Sequence, residues 1–309
     1  MPSNRLAVPR GPTLLPGAVA VPPAPQAGHG FSVCALCHGP ARPGARYCWS
    51  CAAVQAQLRG ARFPVAPLFL FRLGTGSHAS LVGYKAAPSR AARGRRRRDL
   101  SATLRTFLAG HAACLLGGAA AARGVLVPVP STAGGRPSWR GAHPLVACCR
   151  AAALGASTDR STPGQAPRWH VYDLLRPGDE PPARLRASRR GFAPAAGAGL
   201  VGDLPVVVVD DVFASGTRAL SAAAALADAG MDVRAVVPIG RLVRPEHNAA
   251  TAAFWRELGG TPATAGRCCR CPRAVACTWS PPRAGATPVA ASVLPLPRRQ
   301  AVSFGAKRL

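Results

Sequence analysis

LPVVVVDDVFASGTRAL, residues 204–220, is the stretch on which the architecture turns. Its four consecutive valines, residues 206–209, form a short apolar run of β-branched residues. A run of that kind reads as a strand buried on both faces, the pattern of a central parallel strand. Asp210 and Asp211 follow at once, then a small-residue loop with Ala214, Ser215 and Gly216, then an alanine-rich helix opening at Thr217. This order suits a sugar phosphate. A helix N-terminus offers N–H groups and the positive end of its dipole to a phosphate. Gly216 permits close backbone approach, and carboxylates accept hydrogen bonds from sugar hydroxyls. Ligands of open α/β sheets sit at the carboxyl ends of strands, where these residues fall. The plainer alternative is a strand–turn–helix connection with an acidic cap and no ligand.

A chain of 309 residues is long enough for one domain of about 200 residues with smaller additions. It carries 39 Lys+Arg against 12 Asp+Glu, a net charge of +27, with Lys85 and Lys307 as its lysines. Such a balance favours anionic partners: phosphates, nucleotides or DNA. The abundance of alanine, glycine, proline and arginine also fits a biased base composition. The most apolar stretch, residues 107–122, contains His111 and glycines and is short for a membrane span. Prolines interrupt residues 9–25, so no signal peptide is expected there. A cytoplasmic, reducing location follows, in which the 11 cysteines read as metal ligands and buried thiols.

Residues 1–30 and 280–309 are Pro/Ala-rich and are expected to be disordered tails. Within 31–60, Cys34-Ala-Leu-Cys37 and Cys48-Trp-Ser-Cys51 are separated by ten residues. Two such knuckles fit a four-thiolate zinc site, structural because every position is a protein ligand. An iron–sulfur cluster is the alternative. Residues 63–72 and 78–85 read as a hairpin closing on Gly74-Thr75-Gly76. Tyr84 and Lys85 end the second strand. Lys85 is either a solvated surface lysine or, with Asp210 and Asp211, one of a candidate catalytic set. The basic run Arg90, Arg93 and 95–98 reads as a solvated loop. A helix is expected over 99–116 with Asp99 as N-cap, a strand over 124–130, a helix over 143–154 and a strand over 171–175. After the central motif come a helix over 217–229, stopped by Gly230, and a parallel strand over 232–239, making a βαβ unit. His143 is an acid–base candidate or a helix cap. Arg189, Arg190 and Gly191 belong to a hood over the ligand or to a basic linker. Residues 246–258 read as a helix, and 246–279 form a C-terminal unit containing Cys268, Cys269, Cys271 and Cys277, a second metal site or an incidental cluster.

VVVVDDVFASGTR, residues 206–218, resembles the phosphoribosyl pyrophosphate (PRPP) motif of type I phosphoribosyltransferases. Ala214, Ser215 and Arg218 stand where that family usually has threonines. The order of parts widens the likeness. Cys34/Cys37 and Cys48/Cys51, then Tyr84-Lys85, Val-Pro-Val-Pro-Ser131, Arg140-Gly141 and the PRPP motif resemble ComF-like proteins, over roughly residues 34–241. Here Arg140-Gly141 continues as Ala142-His143, where the family has Phe-Asn. The resemblance implies an α/β fold: a type I phosphoribosyltransferase-like parallel sheet flanked by helices over 61–245, behind a small N-terminal zinc knuckle. It implies PRPP binding by Ser131, Asp210, Asp211, Ala214, Ser215, Gly216 and Thr217, with magnesium on the pyrophosphate. It also implies phosphoribosyl transfer to an amine or base, or a non-catalytic module in DNA uptake or nucleotide sensing.

Overall fold

The computed structural model describes residues 15–22, 27–28, 30–116, 123–131, 143–156, 168–196 and 198–258. The chain runs through β1 (Ala27–Gly28), β2 (Phe31–Val33), β3 (Pro40–Ala41), α1 (Trp49–Gln57), β4 (Phe69–Phe71), α2 (Gly76–Ala86), α3 (Arg90–Leu116) and β5 (Arg123–Pro128). It continues through α4 (Pro144–Ala156), β6 (Arg168–Val171), β7 (Leu175–Pro177), β8 (Phe192–Pro194), β9 (Val206–Phe213), α5 (Thr217–Asp228), β10 (Val233–Leu242) and α6 (Ala249–Leu258).

The four-valine run lies in β9, the middle strand of a five-stranded sheet ordered β4-β10-β9-β5-β6. Every pairing in that sheet is parallel. Val206, Val207, Val208 and Val209 each have 0 % of their surface exposed. Successive side chains of a strand point to opposite faces. Val207 and Val209 accordingly enter a core with Leu100, Leu104 and Leu108 of α3 and Leu145 of α4. Val206 and Val208 enter a second core with Val54 of α1 and Ala222 and Leu226 of α5. Helices thus flank both faces, and a strand so covered has no polar side. The β9–α5–β10 unit matches expectation, with Val209 opposite Val237. Gly230, at φ +81, turns the chain out of α5.

From β5 the chain passes to β6 on one side, and from β9 to β10 on the other. The carboxyl ends of β5 and β9 therefore flank a topological switch point, where open α/β sheets bind their ligands.

Several expectations need correction. Residues 78–85 are part of helix α2, not a hairpin strand. Thr75 caps it by accepting from the His78 N–H at 3.4 Å. Ser77, Leu81 and Tyr84 face inward at the i, i+4, i+7 spacing of a helix. The arginine run is also helical, because α3 begins at Arg90 and not at Asp99. The run holds α2 in place: Arg93 donates to the Ala87 carbonyl at 2.6 Å and Arg97 to that of Tyr84 at 3.1 Å. Arg96 crosses Gly83 so closely that a Cβ there would lie 1.3 Å from its Nη1. The strand expected over 171–175 is divided between the end of β6 and the start of β7.

Part of the segment read as a disordered tail is ordered. Val19 exchanges backbone hydrogen bonds with Leu70 at 2.9 and 2.8 Å, beside β4. The helix placed in a separate C-terminal unit packs on the knuckle, with the Phe254 and Phe31 rings edge to face at 5.2 Å. Residues 1–14, Arg140 to Ala142, the cysteines at 268, 269, 271 and 277, and the 280–309 tail lie outside the described residues. Among the described residues, no helix is long and apolar enough to cross a membrane.

Candidate functional site

The second half of β9 carries two carboxylates beside the switch point. Asp210 and Asp211 are both buried. Asp210 Oδ1 accepts the Asp211 N–H at 3.0 Å, and Asp211 Oδ1 accepts that of Val212 at 3.0 Å. The last residues of α2 reach the same point. Tyr84 donates its hydroxyl to Asp211 Oδ2 at 2.9 Å, and Lys85 forms an ion pair with that oxygen. The Lys85 and Asp211 side chains are 18 % and 12 % exposed, so this lysine is no solvated surface residue.

The two aspartates are driven apart in proton affinity. Burial, then the charge of Asp211, pushes Asp210 up to about 7. Burial would also raise Asp211, but the Lys85 charge and the hydrogen bonds from Lys85 and Tyr84 outweigh it and hold Asp211 below its ordinary value. One site therefore holds a fixed carboxylate beside a carboxyl that exchanges its proton near neutrality. Tyr84 is pushed far up, by burial and then by Asp211, and remains a donor.

On the neighbouring strand, the Val129 N–H donates to the Val209 carbonyl at 2.8 Å, bringing the Val-Pro-Val-Pro segment and half-buried Ser131 toward the Asp210 part of β9. Arg218, in the first turn of α5, spans the gap and donates to the Pro130 carbonyl. Its Nε is buried and has no hydrogen-bond partner among the described residues. His143 accepts the Leu145 N–H at 3.3 Å as a cap of α4. Burial, then the Lys85 charge, lowers it to about 4, so it stands neutral beside the site.

In the loop between β9 and α5, Ala214 is exposed, Ser215 half-buried and Thr217 buried. The Ser215 and Thr217 hydroxyls lie 3.0 Å apart. Gly216 adopts φ +84, and a Cβ there would lie 2.3 Å from the Phe213 ring. The close approach that requires glycine is thus to this chain's own phenyl ring, which sequence reasoning could not identify. The hood reading of 189–191 is not what the structure shows. Arg189 Nε donates to Asp228 at 2.9 Å and Arg190 pairs with Asp179 and Glu180. Asp228 ends α5, about 17 Å along the helix from Thr217 at 1.5 Å per residue.

The cysteine knuckles form a second centre. Cys34, Cys37, Cys48 and Cys51 are buried, with all their sulfurs within 4.8 Å of one another, and together can hold one metal ion. Tight turns present the first pair: Cys34 N–H donates to the Gly39 carbonyl and His38 N–H to that of Cys34. The second pair lies at the start of α1, with Cys48 as its N-cap. The positive end of a helix dipole favours thiolates there.

Sequence reasoning missed Arg241, which lies beside this cluster at the carboxyl end of β10. Burial alone would make its charge harder to hold, but Cys37, Cys48 and Cys51 more than offset that and keep it protonated. A lone arginine inside the apolar run VVPIGRLV was the available signal.

No protein-family model matches this chain, and no curated protein and no solved structure matches it.

Proposed function

We propose that this chain is a type I phosphoribosyltransferase-like protein that binds PRPP or a related ribose 5-phosphate, with phosphoribosyl transfer to an amine or base as its reaction. The reading is carried by one observation: two adjacent buried carboxylates lie in the second half of the central strand at a switch point, and that strand leads through Val212 and Phe213 into a glycine loop and a helix N-terminus. The loop and the first turn of α5 suit the 5-phosphate. Asp210 and Asp211 suit the ribose hydroxyls; Ser131 and the Nε of Arg218, unpartnered among the described residues, suit the pyrophosphate. In transfer, the bond from C1 to the pyrophosphate oxygen breaks, a bond to the acceptor nitrogen forms, and the acceptor gives up a proton. Asp210, titrating near neutrality, is placed to take it. Positive charge develops on the ribose and negative charge on the leaving group, so fixed charges do most of the stabilising. Magnesium would supply charge neutralisation on the pyrophosphate, and hard carboxylate oxygens suit its water shell. PRPP-dependent pyrophosphate release, measured across ammonia, amines and nucleobases, tests the reaction. Binding without release with every acceptor leaves a sensing module.

Affinity for PRPP should rise with pH through about 7, as Asp210 becomes a carboxylate able to accept from ribose hydroxyls. Stability should move oppositely. The folded pKa of Asp210 lies above the unfolded value, so its contribution is complete below about pH 4 and is lost as pH rises through about 7, at roughly 1.4 kcal/mol per unit. Asp210→Asn should flatten both profiles, measured by calorimetry and urea unfolding. A wild-type profile in that variant would remove Asp210 from the assignment.

The cysteine cluster is proposed to hold structural zinc. Tetrahedral Zn–S bonds of about 2.3 Å place sulfurs about 3.8 Å apart, and Cys37 and Cys48 have their sulfurs 3.8 Å apart. A disulfide would need about 2.05 Å. Thiolate ligands also accord with a cytoplasmic, reducing location.

A second reading, a non-catalytic module for DNA uptake, is favoured by α3. Arg97, Arg98 and Arg105 line a groove of about 390 Å³ against Ala147 and Cys148 of α4. Since Arg93, Arg96 and Arg97 hold α2, exposed Arg95, Arg98 and Arg105 are the positions to test. Replacing those three with glutamine should weaken binding of a single-stranded oligonucleotide and reduce the slope of log affinity against log salt by about 0.7 for each phosphate no longer neutralised. An unchanged slope assigns α3 to solvent and packing alone.

A further inference from the structure

Arg241 is a buried cation with 7 % of its surface exposed. A guanidinium stays charged, and burying one without an anion is costly. Among the described residues no carboxylate pairs with it. Its Nη1 donates to the carbonyls of Phe213 at 3.1 Å, Ala214 at 2.8 Å and Leu242. Its Cζ lies 5.4 Å from the centre of the Phe213 ring. All of these partners are neutral. Its other side lies against the first knuckle: a Cβ on Gly39 would come within 3.0 Å of Nη2 and 3.2 Å of Nε. Gly39 stands two residues after Cys37. The anion facing Arg241 is therefore the sulfur cluster. Four thiolates around one divalent ion carry a net negative charge, whereas four neutral thiols carry none.

We propose that Arg241 is the counter-cation of the metal–thiolate centre, and that through it the metal positions the turn at Phe213 and Ala214, which leads into the sugar-phosphate loop. The inference rests on reading the cluster as a metal centre. One guanidinium faces the knuckle with its charge and holds two successive carbonyls of the loop with one nitrogen. Without bound metal, the cluster no longer presents a fixed anionic centre to Arg241. Arg241 is then better solvated outside, and its departure frees both carbonyls and unseats the Phe213 ring that packs against Gly216.

The test uses the full zinc-loaded chain, Arg241→Met and Arg241→Lys, with two readouts: zinc affinity by competition with a chromogenic chelator, and amide hydrogen exchange with and without zinc. Arg241→Met should weaken zinc binding about 10- to 100-fold, as loss of an outer-shell partner does. Arg241→Lys should restore most of that affinity but leave exchange at 213–217 fast, because an ammonium lacks the planar fork. In the wild type, zinc removal should speed exchange at 213–217 while 206–209 remain protected. Wild-type zinc affinity in Arg241→Met overturns the proposal, as does exchange at 213–217 that is indifferent to zinc. Loss of protection throughout, including 206–209, assigns the metal to general stability and overturns the local tie. If Arg241→Met does not fold, Arg241→Lys and the zinc-free wild type decide. A wild type without zinc fails in the metal reading itself, seen by elemental analysis. Failure of the PRPP reading appears in ligand titration and leaves these readouts untouched.

Discussion

Asp211→Ala is expected to abolish sugar-phosphate binding and to cost about 3–5 kcal/mol of folding stability, the range for removing one partner of a buried ion pair. Asp211 accepts from both Tyr84 and Lys85. Its loss leaves a mostly buried ammonium without a counter-charge and a buried hydroxyl without its acceptor. The double variant Lys85→Met/Asp211→Ala separates the two roles. With the cation also gone, stability should recover by most of the deficit, because replacing both members of a buried pair with apolar groups is often close to neutral. Binding should not recover, because the carboxylate is still absent. Urea unfolding and calorimetry on the same preparations read both. A double variant as unstable as Asp211→Ala would show that the pair contributes little beyond packing.

Loss of the cysteine centre should have the other large effect. Cys34→Ser/Cys48→Ser should bind no zinc where the wild type binds one per chain, and should unfold at a markedly lower temperature. The reason is that the four cysteines are not an appendage. They share a core with Val54 and Leu58 around α1, with Leu220 and Leu226 of α5, and with Val206 and Val208 of the central strand. Structural zinc sites contribute folding energy in isolated peptides, and a zinc bound here would add to the packing of this face of the sheet, whose apolar core remains without the metal. Elemental analysis and thermal unfolding measure it. Equal zinc in both proteins, or equal melting temperatures, would refute the assignment.

The central motif is legible because a strand buried on both faces has a local signature. Four valines followed by two aspartates and a glycine turn leave little freedom for anything else. The cysteine spacing is legible for the same reason, each knuckle being a single turn. Residues 78–85 mislead because Leu81 and Val82 suggest a strand, while the deciding facts are the Thr75 cap and the inward spacing of Ser77, Leu81 and Tyr84. The arginine run misleads because charge usually means solvent, yet Arg93, Arg96 and Arg97 find acceptors and space on α2 only after the chain has folded. Val19 gives no signal within its proline-rich surroundings, since its partner Leu70 is far away in sequence. Lys85 and Asp211 both stand in the candidate set read from the sequence, but only the packing of α2 beside β9 makes them a pair.

Titration of PRPP with magnesium into the zinc-loaded wild-type chain, beside Asp210→Asn and Asp211→Asn, addresses the central claim most directly. The expected result is saturable binding of one PRPP per chain, strengthened by magnesium, with pH dependence lost in Asp210→Asn and affinity lost in Asp211→Asn while both variants stay folded. No heat of binding from PRPP, ribose 5-phosphate or any nucleotide in the wild type, or equal binding in all three proteins, would contradict it.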